Sequence, residues 1–405
     1  MLLAKGKYNE AKIYSDRFDE NAYSQIIELC NNNSFKDSKI RIMPDYHAGK
    51  GCVVGFTANL SKLEVIPNII GVDIGCGVFV YRLGKIDIDY IKLDEFIRNN
   101  IPSGMSVNNK VSTKYDLSVL KCYSKLINIQ RIENSLGTLG GGNHFIEIDV
   151  DASDNKYLII HSGSRNLGKQ VCDIYQKQAY DDLHNRKNDI AELIKNTPPK
   201  DRERVLRDFK AQTPIIKTGL ESLKDKKSVM DYLHDMDYCV NWAKLNRKEI
   251  ALKILGHLFV SYNPQKQFES VHNYIEYRDK ADVFTGIFVR KGAISALKNQ
   301  LCIIPMNMRD GSLICIGKGN PEWNYSAPHG AGRLMSRGQA KELVDLDEYK
   351  YSMRNIYSSS VNQSTIDESP MAYKPMDEIV NQIQETVEIV KIVKPVYNFK
   401  AGEWR

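Results

Sequence analysis

Residues Ser326 to Arg337 read SAPHGAGRLMSR. A histidine opening a Gly-Ala-Gly run has no bulky neighbours to shield it, and glycines let backbone and ligand approach closely. Such an imidazole, when neutral, is a nucleophile or a base; a surface loop with an incidental histidine is the competing reading. A second stretch, GVDIGCG at 71–77, carries Asp73 and Cys76 as its only reactive side chains. A carboxylate and a thiolate together can grip a divalent cation, and this mixture of hard and soft donors suits manganese, zinc or iron better than magnesium or calcium. A turn aspartate beside a buried cysteine is the alternative.

Three histidines stand at the ends of apolar or β-rich runs beside Asn or Ser: His144 in GGGNHFIEI, His161 in LIIHSGSR and His272 in FESVHNYIEY. One such histidine is ordinarily a satisfied core residue, but these are three of only eight in the chain. With Asp73 and Cys76 they make a set large enough for two metals if one ligand is shared, and a thiolate is the natural bridge. Two cations a few ångströms apart would clamp the attacking and leaving oxygens of a phosphoryl transfer.

Anion-binding elements recur nearby. LGTLGGGNH at 136–144 sets three glycines before Asn143, so backbone N–H groups can converge on an anion, and HSGSRNLG at 161–168 adds Ser164 and Arg165 to a similar loop. Arg131, Arg165, Lys291, Arg333 and Arg337 all lie near a glycine turn or a candidate ligand. Each alone reads equally as a solvated surface charge. The chain has no GxxxxGK phosphate loop, no GxGxxG opening a helix, and no lysine in the KxDG setting of a conventional ATP-dependent nucleic-acid ligase.

The elements that must position these residues alternate between two styles. Residues 41–82, 136–168 and the stretch from about 283 hold short β-branched runs broken by Gly and Pro, the pattern of strands and tight turns. Residues 170–260 instead show apolar positions at three-to-four spacing among charges, an amphipathic helical region of mixed charge that reads as support for the site. Near the C-terminus MDEIVNQIQETVEIVKIV reads as one helix, and a helix beginning near His329 would set Arg333 and Arg337 one and two turns on. With no internal repeat and no low-complexity linker, one domain over 1–405 with a helical insertion at about 170–260 is the preferred organisation. Across its 405 residues the chain is 42% hydrophobic and 26% charged, as expected of a globular protein, with no apolar run of membrane-spanning length. The N-terminus lacks a signal peptide's apolar stretch, and the eight cysteines are scattered singly, so a cytoplasmic location and no membrane partner are expected. A net charge of +6 tilts toward anionic partners.

Set in order, MPDYHAGKG, GVDIGCG, LGTLGGGNHFIE, HSGSR, HN, RKGA, SAPHGAGRLMSR and AYK resemble the RtcB family of RNA ligases, which join 3′-phosphate ends to 5′-hydroxyl ends. The resemblance runs from about residue 40 to the tail and implies a mixed α/β (α+β) fold with a β-rich core. It implies GTP and two Mn²⁺ per active site: Asp73 and His144 on one ion, His161 and His272 on the other, Cys76 between them. His329 would take GMP from GTP as a phosphoramidate, with Asp45 as the orienting carboxylate. GMP would pass to the RNA 3′-phosphate, and the 5′-hydroxyl would displace it. Guanylate-binding positions carried over are Asn143, Glu147, Asn273, Asn307 within 305–308, Ser312, Gly330, Ala331, Gly332 and Lys400, with Glu147 accepting from guanine N1–H and the 2-amino group and Lys400 reaching O6. Arg131, Arg165, Lys291, Arg333 and Arg337 would meet phosphate or RNA.

Two features depart from the family pattern. PMNMRD at 305–310 stands where a glycine- and serine-rich loop is usual, and AGEWR follows Lys400 where the family's lysine is almost terminal. Both read as a divergent branch, in RNA repair or transfer-RNA splicing. The expected partners are RNA ends and GTP, in a monomer or weak oligomer, with any activating protein unspecified. Other readings are a dinuclear-metal RNA-end phosphoesterase that opens 2′,3′-cyclic phosphates without guanylylation, an idle RNA-end-binding protein, and a thiol hydrolase built on Cys76 and Asn143.

Overall fold

A computed structural model of the chain describes residues 1–49, 51–111, 113–183, 187–212, 218–278 and 286–402. In chain order the strands are β1 (Leu2–Lys5), β2 (Glu10–Ile13), β3 (Lys39–His47), β4 (Val54–Asn59), β5 (Gly77–Gly84), β6 (Phe145–Val150), β7 (Lys156–Ser162) and β8 (Gln267–Val271). They continue with β9 (Asn273–Arg278), β10 (Gly286–Lys291), β11 (Ala293–Ser295), β12 (Leu301–Asn307), β13 (Gly311–Gly317), β14 (Ser326–Pro328) and β15 (Val387–Lys400). One sheet has the order β1-β2-β3-β4-β10-β9, another the order β12-β13-β15-β6-β7-β5-β8, and β11 pairs β14. Among the described residues every pairing of these strands is antiparallel except β2 with β3. Helices cover these sheets, so the fold is mixed α and β, as the sequence patterning implies.

Strand alternation explains how polar groups reach the interior. In FIEIDV of β6, Ile146 and Ile148 join a core cluster with Ile250, Ile254 and Leu255 of the helix Lys226–His257, while Phe145 packs on the other face with Val78, Val80, Ile303 and Val393. With a side-chain period of two, Glu147 shares the face of Phe145. Both faces of the strand are therefore apolar-lined, and Glu147 is carried into the interior with only 2% of its surface exposed.

The 170–260 region is mostly helical where described, with 218–225 an irregular connection; its helices are Arg165–Leu183, Lys187–Asn196, Arg202–Gln212 and Lys226–His257. The last is no peripheral decoration. Its buried positions form one broad face, leaving a stripe through His234, Asp237, Asn241 and Lys244 exposed, and it packs against β5 and β7. Two expectations are corrected. The C-terminal pattern is helical only over Met376–Gln382, and VEIVKIVKPVYNFK then forms β15, because β-branched alternation finds ladder partners on both sides in β13 and β6. Residues 329–336 form no helix; the helix begins at Arg337, capped by Ser336.

Candidate functional site

Adjacent strands bring the ligand candidates to one level. Gly77 at the start of β5 pairs with Ser162 of β7 and Val271 of β8, and Phe145 of β6 pairs with His161. Cys76, His144, His161 and His272 thus sit at four neighbouring strand ends. The His272 backbone N–H donates to the Cys76 carbonyl at 2.9 Å, tying the turn to β8. Asp73 enters because residue 163 is glycine: a Cβ there would stand 1.9 Å from Asp73 Oδ1.

The donor atoms converge. Cys76 Sγ lies 3.5 Å from His144 Nε2 and 3.2 Å from His161 Nε2, His144 Nε2 is 3.0 Å from Asp73 Oδ2, and His161 Nε2 is 3.4 Å from His272 Nε2. They form two overlapping triads, Asp73–Cys76–His144 and Cys76–His161–His272, with Cys76 common to both and all atoms of a triad within 4.8 Å of one another. The outer nitrogens set the tautomers, since His144 Nδ1 donates to the Leu139 carbonyl at 2.9 Å and His161 Nδ1 to the Asn143 carbonyl at 3.2 Å. Their Nε2 lone pairs therefore face the thiol. Burial, reinforced by the neighbouring imidazoles, pushes His161 and His272 well below the usual histidine range and keeps them neutral. Burial and the Asp73 carboxylate push the Cys76 thiol up. Burial opposes the ionisation of Asp73 too, but its contact with His144 and the charge of Arg165 hold it below the usual carboxylate range. Lone pairs aimed inward in a buried pocket, with a thiol as common corner, fit a pair of divalent cations that accept sulfur, nitrogen and oxygen together.

Behind the cluster stand residues that the motifs do not reveal. Arg247, fully buried on the helix Lys226–His257, donates Nη1 to the Gly75 carbonyl at 2.9 Å and the Ser162 carbonyl at 2.8 Å, and Nη2 to Glu269 Oε2 at 2.7 Å. Its neighbour Asn246 accepts from the Gly137 and Thr138 N–H groups and donates to the Ser162 hydroxyl. The helix thus clamps three of the ligand-bearing loops. A polar pair inside an apolar helical pattern was the available signal.

A cleft of about 910 Å³ opens beside the cluster. Asn143, Glu147, His161, Asn307, His329, Gly330, Ala331, Gly332, Arg333, Arg337 and Lys400 all line it. His329 Nδ1 is 2.7 Å from Asp45 Oδ2, which also accepts from the backbone N–H groups of His329 and Gly330 at 3.1 and 3.2 Å. The His329 ring centroid lies 4.8 Å from that of His272, so the opening motif faces the triads directly. Glu147 accepts from Asn398 Nδ2 at 2.8 Å, and burial pushes its carboxyl up to about 7 against the pull of Asn398 and the Lys400 charge. Lys400 Nζ meets Glu368 Oε2 at 2.8 Å. Glu368 also takes Arg333, Arg337 and the Tyr373 hydroxyl. Burial opposes its ionisation, yet the three cations hold it down to about 2. Glu368 and Asn398 went unnoticed in the sequence because their partners Lys400 and Glu147 are distant along the chain.

Other candidates lie elsewhere. Asn273 supports the turn, donating to the Asp73 carbonyl at 3.1 Å and accepting from Gly292 N–H at 3.0 Å. Lys291 Nζ donates to the Ile70 carbonyl at 3.1 Å. Ser312 is fully buried in β13, opposite Pro305, and its hydroxyl has no partner among the described residues. Arg131 binds the Met105 carbonyl at 2.6 Å, and Arg165 reaches toward the Gly104 carbonyl at 3.4 Å with its charge near Asp73. The departing PMNMRD segment is a hairpin: β12 continues to Asn307, whose carboxamide caps the turn by accepting from Arg309 and Asp310. Among the described residues no helix is long and apolar enough to cross a membrane.

Comparison with known proteins agrees with this arrangement. The family model described as tRNA-splicing ligase RtcB matches residues 31–127 and 121–401. An RNA-splicing ligase RtcB of Escherichia coli strain K12 is 30% identical over 392 residues, covering 88% of each chain. A tRNA-splicing ligase RtcB of Nanoarchaeum equitans is 28% identical over 440 residues, covering 87% of this chain and 85% of its own. An RNA-splicing ligase RtcB2 of Escherichia coli strain ATCC 25922 is 24% identical, with 88% and 86% covered. A match running nearly end to end, over a cluster built from the motifs that suggested it, places this chain in the RtcB family.

Proposed function

We propose that the protein is a GTP-dependent RNA ligase that uses two Mn²⁺ ions to join 3′-phosphate ends, or 2′,3′-cyclic phosphate ends after water has opened them to the 3′-phosphate by breaking the P–O2′ bond, to 5′-hydroxyl ends, with the whole chain acting as one catalytic unit. The observation that carries this reading is the His329–Asp45 pair, 2.7 Å apart and facing the cysteine-centred triads across one cleft. With Nδ1–H given to Asp45, Nε2 keeps its lone pair. Nε2 attacks the α-phosphorus of GTP, forming an N–P bond as the bond to the β-phosphate bridging oxygen breaks and pyrophosphate leaves. An oxygen of the RNA 3′-phosphate then attacks that phosphorus and frees the imidazole, leaving the RNA end activated with GMP. The 5′-hydroxyl oxygen attacks the RNA 3′-phosphorus, loses its proton, and GMP departs. A 3′-phosphate monoester lacks a good leaving group, and the guanylate supplies one. Manganese held by Asp73, Cys76, His144, His161 and His272 would neutralise charge on the reacting phosphates. Glu147 accepts from the guanine N1–H and 2-amino group, and Lys400 turns from Glu368 toward O6. The names of the relatives, RNA-splicing and tRNA-splicing ligases, support RNA as the substrate.

The test is covalent labelling. Incubation with radiolabelled GTP and Mn²⁺ should attach GMP through an acid-labile, hydroxylamine-resistant bond, and His329→Ala should abolish it. Folded, metal-loaded protein that takes no label, or His329→Ala that labels as well as the parent, would refute the reading. RNA 3′-phosphate release without label would instead indicate a phosphoesterase.

A further inference from the structure

Lys374, the last residue of the AYK motif, has no part in the chemistry above, yet it sits 2% exposed in the interior. Its surroundings explain why. Between Ile42, which pairs with Phe56, and His47, which pairs with Val54, the β3–β4 ladder breaks, so residues 43–46 of β3 face only Gly55 of β4. This bulge turns Asp45 toward His329. Gly55 makes room for it: at φ +85, a Cβ there would come within 3.1 Å of Tyr46 Cα and 3.3 Å of Asp45 Oδ1. A bulge leaves carbonyls without ladder partners, and buried carbonyls without partners are costly. Lys374 supplies what is missing, as its Nζ donates to the carbonyls of Pro44 at 2.8 Å and Tyr46 at 3.0 Å, the two residues flanking Asp45. The ammonium also lies 4.9 Å from the Tyr46 ring centroid. At the other end, the Lys374 backbone N–H donates to the Gly332 carbonyl at 3.0 Å, so one residue ties the strand carrying Asp45 to the loop carrying His329.

We propose that Lys374 is the positioning residue of the guanylylation site: its ammonium pins both carbonyls flanking Asp45, holds the carboxylate on His329 Nδ1, and places a positive charge beside that buried anion. It touches no substrate and acts through Asp45. Other charged groups around it are Glu378, Arg17 and Asp19; Asp45 is the one whose charge bears on it most. The inference rests on His329 as the nucleophile for its kinetic consequence only; the Asp45–His329 contact can be observed without nucleotide.

The experiment uses the full chain with ¹⁵N-labelled histidine. The buried Nδ1–H of His329 should give a low-field imidazole resonance, identified by its loss in His329→Asn. Lys374→Met, of similar length but without donors, should lose or broaden that resonance while the remaining histidine signals persist. Its GMP-labelling rate at saturating GTP should fall on the order of 10- to 100-fold, the range expected for losing hydrogen bonds from a buried charged group. The KM for GTP should stay unchanged. Lys374→Arg, which keeps donors for both carbonyls, should retain the resonance and recover part of the rate. In a double-mutant cycle, Lys374→Met added to Asp45→Asn should cost little further rate. An unaltered resonance in Lys374→Met, or rate losses that multiply in the double variant, would overturn the proposal. If the parent shows the resonance but takes no label, the guanylylation reading falls, and the resonance alone decides whether Lys374 positions Asp45.

Discussion

Cys76 gives the sharpest perturbation. Its sulfur is the one donor common to both triads, 3.5 Å from His144 Nε2 and 3.2 Å from His161 Nε2. Cys76→Ala leaves Asp73 with His144 on one side and His161 with His272 on the other, two protein ligands per ion in place of three. Loss of a group that merely orients a ligand costs about 10- to 100-fold in metal affinity, and loss of a ligand costs at least that. Because the loss strikes both sites, joint occupancy should fall at least about 10²- to 10⁴-fold. The comparison variant is His144→Ala, which removes a donor from one triad only. Equilibrium dialysis against Mn²⁺ followed by elemental analysis should find two ions per chain in the parent, about one in His144→Ala, and neither held tightly in Cys76→Ala. Without metal, the Cys76→Ala variant should melt close to the parent, since the thiol is neutral when buried and makes no bond beyond the cluster. A Cys76→Ala protein that keeps two ions at parental affinity, or a His144→Ala protein that loses both together, would refute the shared-sulfur argument.

Two further outcomes follow from the cleft's carboxylates. Glu147 ionises at about 7, above its ordinary 4.5, so it accepts from a base edge increasingly as pH rises through neutrality. The efficiency of GMP labelling at low GTP should climb between about pH 6 and 8 in the parent, and a Glu147→Gln protein should be slower and lack that component; superimposable profiles would dismiss Glu147 as the acceptor. Glu368 is depressed from 4.5 to about 2, so its contribution to stability is present above pH 4.5 and lost as pH falls through about 2. Glu368→Gln should therefore cost about 3 kcal/mol at neutral pH and flatten the acid limb of the stability curve, as read by denaturant melts. It should also free Lys400 and the two arginines, changing the salt dependence of RNA binding.

Much of the site was legible along the chain, because chemistry is written in residue types and in the glycines beside them. Asp73, Cys76, His144, His161 and His272 stood out as ligand types at strand ends, and the two triads share the sulfur that a mixed donor set suggested. The tail was misread from Ile383 onward, since an apolar period over a short run does not separate helix from strand; β15 is a strand because β13 and β6 stand on either side of it. The sequence by itself determined which side chains could hold metal, carry a nucleotide or meet phosphate, and that β-rich segments would present them. Tertiary structure alone decided which of them meet. Asp45 reaches His329 through a bulge that no local pattern announces. Glu147 finds Asn398, 251 positions away, and Lys400 finds Glu368. Cross-strand register and buried ion pairing depend on residues far apart along the chain, so their partners are settled only when the sheets close.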